Sequence, residues 1–121
     1  MLTVFCRTRC VGFHYWPNAP DQYEYLRHPH RHEFHVEVHV AVDISKQVDH
    51  TRQVEFHALK QTVDKILTAL LWGAPTPKSC EDLCADIAMQ LTLEGSDVAM
   101  VRVSEDGECG AVLVFEEVPE C

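Results

Sequence analysis

The stretch from His28 to Val40 constrains the fold more than any other part of the chain, because its pattern fixes a strand and its two faces. It holds five of the eight histidines of this 121-residue sequence. From Glu33 onward polar and apolar residues alternate, which is the period of a half-buried strand. We predict a strand from His30 to Ile44. Residues two apart point to the same side of a strand, so His30 and His32 begin its apolar face.

The His-x-His pair at the start of this strand is typical of a metal site on a sheet, where the backbone fixes two imidazoles near each other. If a first strand, predicted from Leu2 to Tyr15, pairs antiparallel with it, His14 lies beside His30 and His32. Three neutral imidazoles with an open fourth position are the pattern of a catalytic or ligand-binding zinc. Copper, nickel and iron also bind imidazole. For the pair alone, solvated histidines at a strand entrance are the alternative.

The remaining periodicity predicts two helices and two further strands. Apolar residues recur at threes and fours from Val54 to Leu71, which indicates an amphipathic helix. A second helix follows Ser79, a good N-cap, and ends at Gly95. Strands are predicted from Asp97 to Ser104 and from Ala111 to Val118, joined by a turn with the Asp-Gly hairpin signal. We predict an α+β domain of order β-β-α-α-β-β, with a four-stranded antiparallel sheet and both helices on one face.

Length, net charge and composition limit the classes of function that this chain can have. The length fits a single domain over residues 1–121. The formal net charge of −9 argues against a nucleic-acid partner, which needs a basic face, and against anionic membranes. The longest apolar run, Ile66 to Trp72, is too short to span a bilayer. No targeting signal and no Cys-x-x-Cys motif are visible, so we expect reduced thiols and a cytoplasmic location.

The order of elements, His14 and the triplet His30-Arg31-His32 resemble the 6-pyruvoyltetrahydropterin synthase / 6-carboxytetrahydropterin synthase family. The resemblance covers nearly the whole chain and implies the tunnelling fold. It also implies that His14, His30 and His32 bind zinc, with Arg31 in place of a glycine. Trimers that close into a barrel and stack in pairs as hexamers follow from the same resemblance. An oligomer is expected on physical grounds too, because isolated monomers rarely tolerate exposed sheet edges.

Three further segments carry the resemblance. Glu55-Phe56-His57-Ala58-Leu59-Lys60 matches the acidic-aromatic start of the family's first helix, and Pro75 to Glu81 occupies the place of the segment that opens its second helix. Glu105 falls on the glutamate that grips a pterin or guanine-like ring. A carboxylate can accept two parallel N–H bonds from a 2-aminopyrimidinone, which is a strong charge-assisted pair. Taken alone, Glu105 also fits a solvated turn residue.

The chain departs from the family at its proton carriers. Leu26 stands where the family has its catalytic cysteine, and the interval from Thr68 to Thr76 lacks the family's Asp-His pair. General acid–base catalysis needs a titratable group beside the reacting atom. Glu24, Tyr25 and His28 are the candidate substitutes, in a segment that we interpret as a loop covering the site. Each of them also fits a surface role.

Two functions from different classes are consistent with these residues. One is a zinc-dependent lyase or hydrolase acting on a pterin or purine-like compound, in which Glu24 or His28 carries protons. The other is a non-catalytic pocket that binds or sequesters a purine, pterin or nucleotide. The retained histidines favour the enzyme, and the missing cysteine and Asp-His pair favour the binding protein. An assembly protein with a vestigial site is a third, plainer interpretation.

Overall fold

The computed structural model describes residues 1–116 and has the α+β architecture, with a four-stranded antiparallel sheet, that the sequence predicts. Two further segments, Asp21–Arg27 and Ile44–Lys46, form short 3-10 helices. No helix in the described range is long and apolar enough to cross a membrane. The main elements in chain order are β1 (Leu2–His14), β2 (His30–Val42), α1 (Phe56–Leu71), α2 (Cys80–Leu93), β3 (Val98–Glu105) and β4 (Cys109–Val114).

Several boundaries differ from the predicted ones. Strand β1 ends at His14 rather than Tyr15, β2 ends at Val42 rather than Ile44, and β3 is shifted by one residue from the predicted Asp97 to Ser104. The segment from Gln22 to His28, predicted as a loop, lies mostly within a 3-10 helix, a tight form whose period leaves little amphipathic signal. Strand β4 begins at Cys109 rather than Ala111, and the end predicted for it at Val118 lies outside the described residues. Helix α1 begins after Glu55, whose carboxylate caps it by accepting the backbone N–H of His57 and of Ala58.

The sheet has the strand order β1-β2-β3-β4, with every neighbouring pair antiparallel. In the register of β1 and β2, His14 pairs with His30 and Gly12 pairs with His32. On the other side of β2, Phe34 pairs with Glu105, the last residue of β3. The end of β1, the start of β2 and the end of β3 therefore meet at one end of the sheet.

One face of the sheet forms the core with both helices. Phe34, Val38, Val101 and Val103 are fully buried there because every second residue of a strand points to this side. Helices α1 and α2 each pack an apolar side against this face. The apolar side of α2 includes the buried thiols Cys80 and Cys84. The core residues from the helices are Leu59, Val63, Ile66, Leu67, Leu71, Cys80, Leu83, Cys84, Ile87, Ala88 and Leu91.

A short link ties α2 to the end of β1. Thr76 forms an isolated parallel bridge with His14: its N–H donates to the Phe13 carbonyl, and its own carbonyl accepts the N–H of Tyr15. Ser79 and Asp82 then form a capping box that starts α2. Residues 76–82 are thereby held against the end of the sheet where the histidines lie.

Candidate metal centre

The three histidines predicted as metal ligands converge at this end of the sheet. The ring centroids of His14 and His30 are 4.5 Å apart, those of His30 and His32 5.1 Å, and those of His14 and His32 5.3 Å. One ring nitrogen from each lies within 4.8 Å of the other two, close enough to hold a metal ion. The predicted proximity of the three histidines is therefore observed, and the strand register explains it, since His14 and His30 are direct cross-strand partners.

The outward nitrogens of two of these rings are fixed by backbone carbonyls. His14 Nδ1 is 3.0 Å from the carbonyl oxygen of Lys78, and His30 Nδ1 is 2.9 Å from that of His28. A carbonyl only accepts, so each Nδ1 must carry the proton and donate it. The Nε2 lone pair of each neutral ring is then free. Metal-binding histidines are oriented by such outer contacts.

The third ring is fixed by a carboxylate. His32 Nδ1 donates to Asp106 Oδ2 at 2.7 Å, while Asp106 Oδ1 accepts the backbone N–H of Glu33 at 2.9 Å. The Glu33 N–H, together with His32, holds the pKa of Asp106 below its usual range. Asp106 has a φ of 56° and Gly107 a φ of 75°, so both central residues of the β3–β4 turn are left-handed. Because of this turn conformation, the Asp106 side chain lies against β2 and forms a hydrogen-bonded pair with His32. Carboxylate–histidine pairs of this kind orient histidines that bind metal ions.

His14 is the most buried member of the cluster. Its side chain is 9% exposed, and its Nε2 is buried without a hydrogen bond. Burial lowers the pKa of His14, and the Lys78 carbonyl and the Glu105 carboxylate oppose this only in part. The neutral imidazole that a metal ion requires is therefore favoured at this position.

Glu105, the predicted ligand anchor, lies beside the cluster and contacts two of its rings. Its Oε1 is 3.0 Å from His14 Nε2, and its Oε2 is 3.5 Å from His32 Nε2. The side chain is 31% exposed and also lines the adjoining cavity. Glu105 can thus reach both the inward histidine nitrogens and a molecule in the cavity.

A cavity of about 550 Å³ opens beside the histidines, within the usual range for small-molecule sites. Leu26 reaches it from the 3-10 segment, so this segment does border the site. The start of α2 forms another wall. The lining residues are His14, Tyr15, Trp16, Leu26, His30, Pro77, Lys78, Ser79, Cys80, Glu81, Asp82, Glu105, Cys109 and Gly110.

The proposed substitutes for the missing proton carriers lie elsewhere. Glu24, Tyr25 and His28 are exposed and are not among the residues that line the cavity. His28 contacts the site through its backbone carbonyl, which holds the His30 ring. Catalytic roles for Glu24 and His28 stay predictions, and the described chain gives them no contact with the cavity.

Sequence reasoning missed Asp106 and Cys109. The Asp-Gly signal predicts the turn, but nothing local indicates that the Asp106 side chain crosses to a residue 74 positions away. Cys109 lines the cavity only because the turn places it opposite Glu105. The other thiol on the wall, Cys80, is inert at neutral pH, since burial raises its pKa to about 12.

Comparison with models of known protein families and with curated proteins finds no match to this chain.

Replacing Asp106 with asparagine should weaken metal binding by about 10- to 100-fold, the usual effect of losing an outer carboxylate partner. Asparagine tolerates the left-handed backbone of this turn, so the fold should be preserved. The affinity can be measured by competition with a chromophoric chelator. Glu108→Gln, an exposed residue of the same turn, is the matched control and should bind metal like the unmodified chain. Equal affinities for Asp106→Asn and the control would contradict an orienting role.

Proposed function

We propose that this chain is a zinc protein with the tunnelling fold, similar to 6-pyruvoyltetrahydropterin synthase and 6-carboxytetrahydropterin synthase, which binds a pterin or purine-like ligand beside its metal. One observation carries the proposal. Three imidazoles, each fixed through Nδ1, form a cluster that could hold a metal ion, and two of them, His14 and His30, line a ligand-sized cavity. Zinc is the metal we favour, because imidazole suits it and it tolerates a three-histidine site with one exchangeable position.

The residues around the cavity would have different roles. His14, His30 and His32 would hold the metal. When bound, zinc supplies Lewis-acid polarisation of a hydroxyl or carbonyl oxygen, or an activated water. Glu105 is the carboxylate able to accept N–H bonds from a 2-aminopyrimidinone ring. Leu26 and Trp16 give the cavity apolar surface that excludes water from a flat ring.

The second candidate is a binding protein without catalysis. It is favoured by Leu26, an apolar residue on the cavity wall where the resembled enzymes carry a thiol. The exposed positions of Glu24 and His28 support it further, because neither offers a proton carrier to the cavity of one chain. In this case the protein would hold or sequester a purine, pterin or nucleotide.

Native mass spectrometry of the freshly purified chain, combined with metal analysis, tests the proposed function. We expect about one zinc per chain, together with a retained small molecule whose mass fits a pterin or purine. Glu105→Ala should lose the small molecule. A chain without transition metal, and without metal uptake after dialysis against zinc, would overturn the proposal.

We propose further that the chain forms a homo-oligomer, a trimer or a stacked hexamer. Strands β1 and β4 are the edges of the sheet, and joining the β4 edge of one copy to the β1 edge of the next would remove both. The face away from the helices also exposes large apolar side chains, as an interface would: Phe5, Val11, Phe13, Val112 and Val114. Light scattering at micromolar concentration should give a mass at least about three times that of one chain. A monomer would contradict this.

We propose that this protein is cytoplasmic and that its partner is a small molecule. The cysteines at positions 6, 10, 80, 84 and 109 are all free thiols, which a reducing compartment preserves. The net charge of −9 gives no support for a nucleic-acid partner.

A further inference from the structure

The Glu105 carboxylate lies close to the ring nitrogens of two of the three histidines. Its two oxygens are 3.0 Å from His14 Nε2 and 3.5 Å from His32 Nε2. In a tetrahedral zinc site with bonds of about 2.0–2.2 Å, the ligand atoms are about 3.3–3.6 Å from each other. The carboxylate therefore lies next to two of the three histidines at about the spacing of metal ligands, and rotation of its side chain could bring one oxygen to a fourth position.

The charges at this contact call for a cation. His14 donates its Nδ1 proton to the Lys78 carbonyl, so in the neutral ring the Nε2 turns a lone pair toward Glu105. Two electron-rich atoms 3.0 Å apart, one of them anionic, repel unless a proton or a metal ion lies between them. A divalent metal held by the imidazoles and the carboxylate together removes the repulsion.

We infer that Glu105 is the fourth protein ligand of the metal when no small molecule is bound, so that the three histidines and the glutamate close the site. This inference rests on the metal site of the proposed function. It assigns Glu105 a second role besides the ring contact. The carboxylate would release the metal when a ligand enters, and an oxygen of that ligand could then take its place.

The Glu105 side chain can move between the histidines and the cavity. Glu105 ends β3, where its backbone is fixed by pairing with Phe34 and with Cys109. Its side chain is nevertheless 31% exposed and lines the cavity, so rotation about its own bonds can turn the carboxylate between the histidines and the cavity. N–H donors of a 2-aminopyrimidinone would replace the lost metal bond with two charge-assisted hydrogen bonds.

A carboxylate of the same turn supplies a matched control. Glu108 is exposed and does not line the cavity, whereas Glu105 approaches the inner nitrogens of His14 and His32. Glu108→Gln removes the same unit of charge as Glu105→Gln. A general electrostatic effect on anion binding would appear in both variants, and the opening of a coordination position would appear only in Glu105→Gln and Glu105→Ala.

The test is azide binding to the full chain loaded with Co(II), whose visible absorption reports coordination number and ligands. Azide should bind at least about tenfold more weakly to the unmodified chain and to Glu108→Gln than to the two Glu105 variants, because a position occupied nine-tenths of the time lowers apparent affinity tenfold. Circular dichroism establishes that every variant is folded. Equal azide affinity in the unmodified chain and in Glu105→Ala would overturn the fourth-ligand inference while leaving the histidine site intact. Failure of the unmodified chain to take up Co(II) or Zn(II) would overturn the proposed metal site as well.

Discussion

Replacing His30 or His32 by alanine is expected to reduce bound zinc from about one equivalent per chain to almost none after dialysis. Each substitution removes one of three imidazoles whose nitrogens lie within 4.8 Å of one another. Both rings are only partly buried, so alanine should leave the core intact. Elemental analysis of dialysed protein measures the effect.

The controls are two histidines on the opposite face of the same strand. His35 pairs with Glu33 and His39 pairs with Glu37, both through Nε2 at 2.9 Å. His35→Ala and His39→Ala should therefore keep the metal. Unchanged zinc in both His30→Ala and His32→Ala would move the metal site elsewhere in the chain and remove the basis for the proposed function.

The strand that dominates the sequence was predictable because its period is strict. A shift of one residue would exchange every side chain of β2 between the core and the open face, so the alternation from Glu33 fixes which face Phe34 and His32 take. The same reasoning placed His14 beside His30. The 3-10 segment that contains Leu26 was not predictable, since it is short, has no buried residue and has no clear apolar period.

The orientation of the site could not be predicted because its outer contacts are remote in sequence. His14 is held by the carbonyl of Lys78, 64 positions away, and His32 by a carboxylate 74 positions away. A backbone carbonyl carries no sequence signal at all. The family resemblance predicted a carboxylate near the site at Glu105, but whether this carboxylate faces a ligand or the histidines depends on side-chain rotation.

We expect the zinc-loaded chain to convert dihydroneopterin triphosphate, the substrate implied by the family resemblance, at no useful rate. Leu26 lines the cavity with His14 and His30 but can neither take nor give a proton. A positioned general acid or base contributes about 10²–10⁴ in rate. The residues from Thr68 to Thr76 include no aspartate or histidine, so the Asp-His contribution of the resembled enzymes is absent as well.

The substitution that tests this reasoning is Leu26→Cys, which places a thiol on the cavity wall. Turnover should rise by a factor within about 10²–10⁴ if a proton carrier is what the site lacks. Leu26→Ala, which opens the same space without a thiol, is the control and should gain nothing. Rates are compared at equal zinc content, so that a change in metal loading is not counted as catalysis.

Two other outcomes would change the interpretation. Robust turnover by the unmodified chain that disappears in Glu24→Ala would overturn our expectation and identify Glu24 as the replacement base. It would also require the exposed Glu24 side chain, which does not line the cavity of the single chain, to turn toward it. Absence of turnover in both the unmodified chain and Leu26→Cys, with pterin or purine binding that Glu105→Ala abolishes, would favour the binding protein. In that case the zinc and the carboxylate would serve recognition, because the same metal and N–H contacts that hold a substrate can hold a ligand that is never converted.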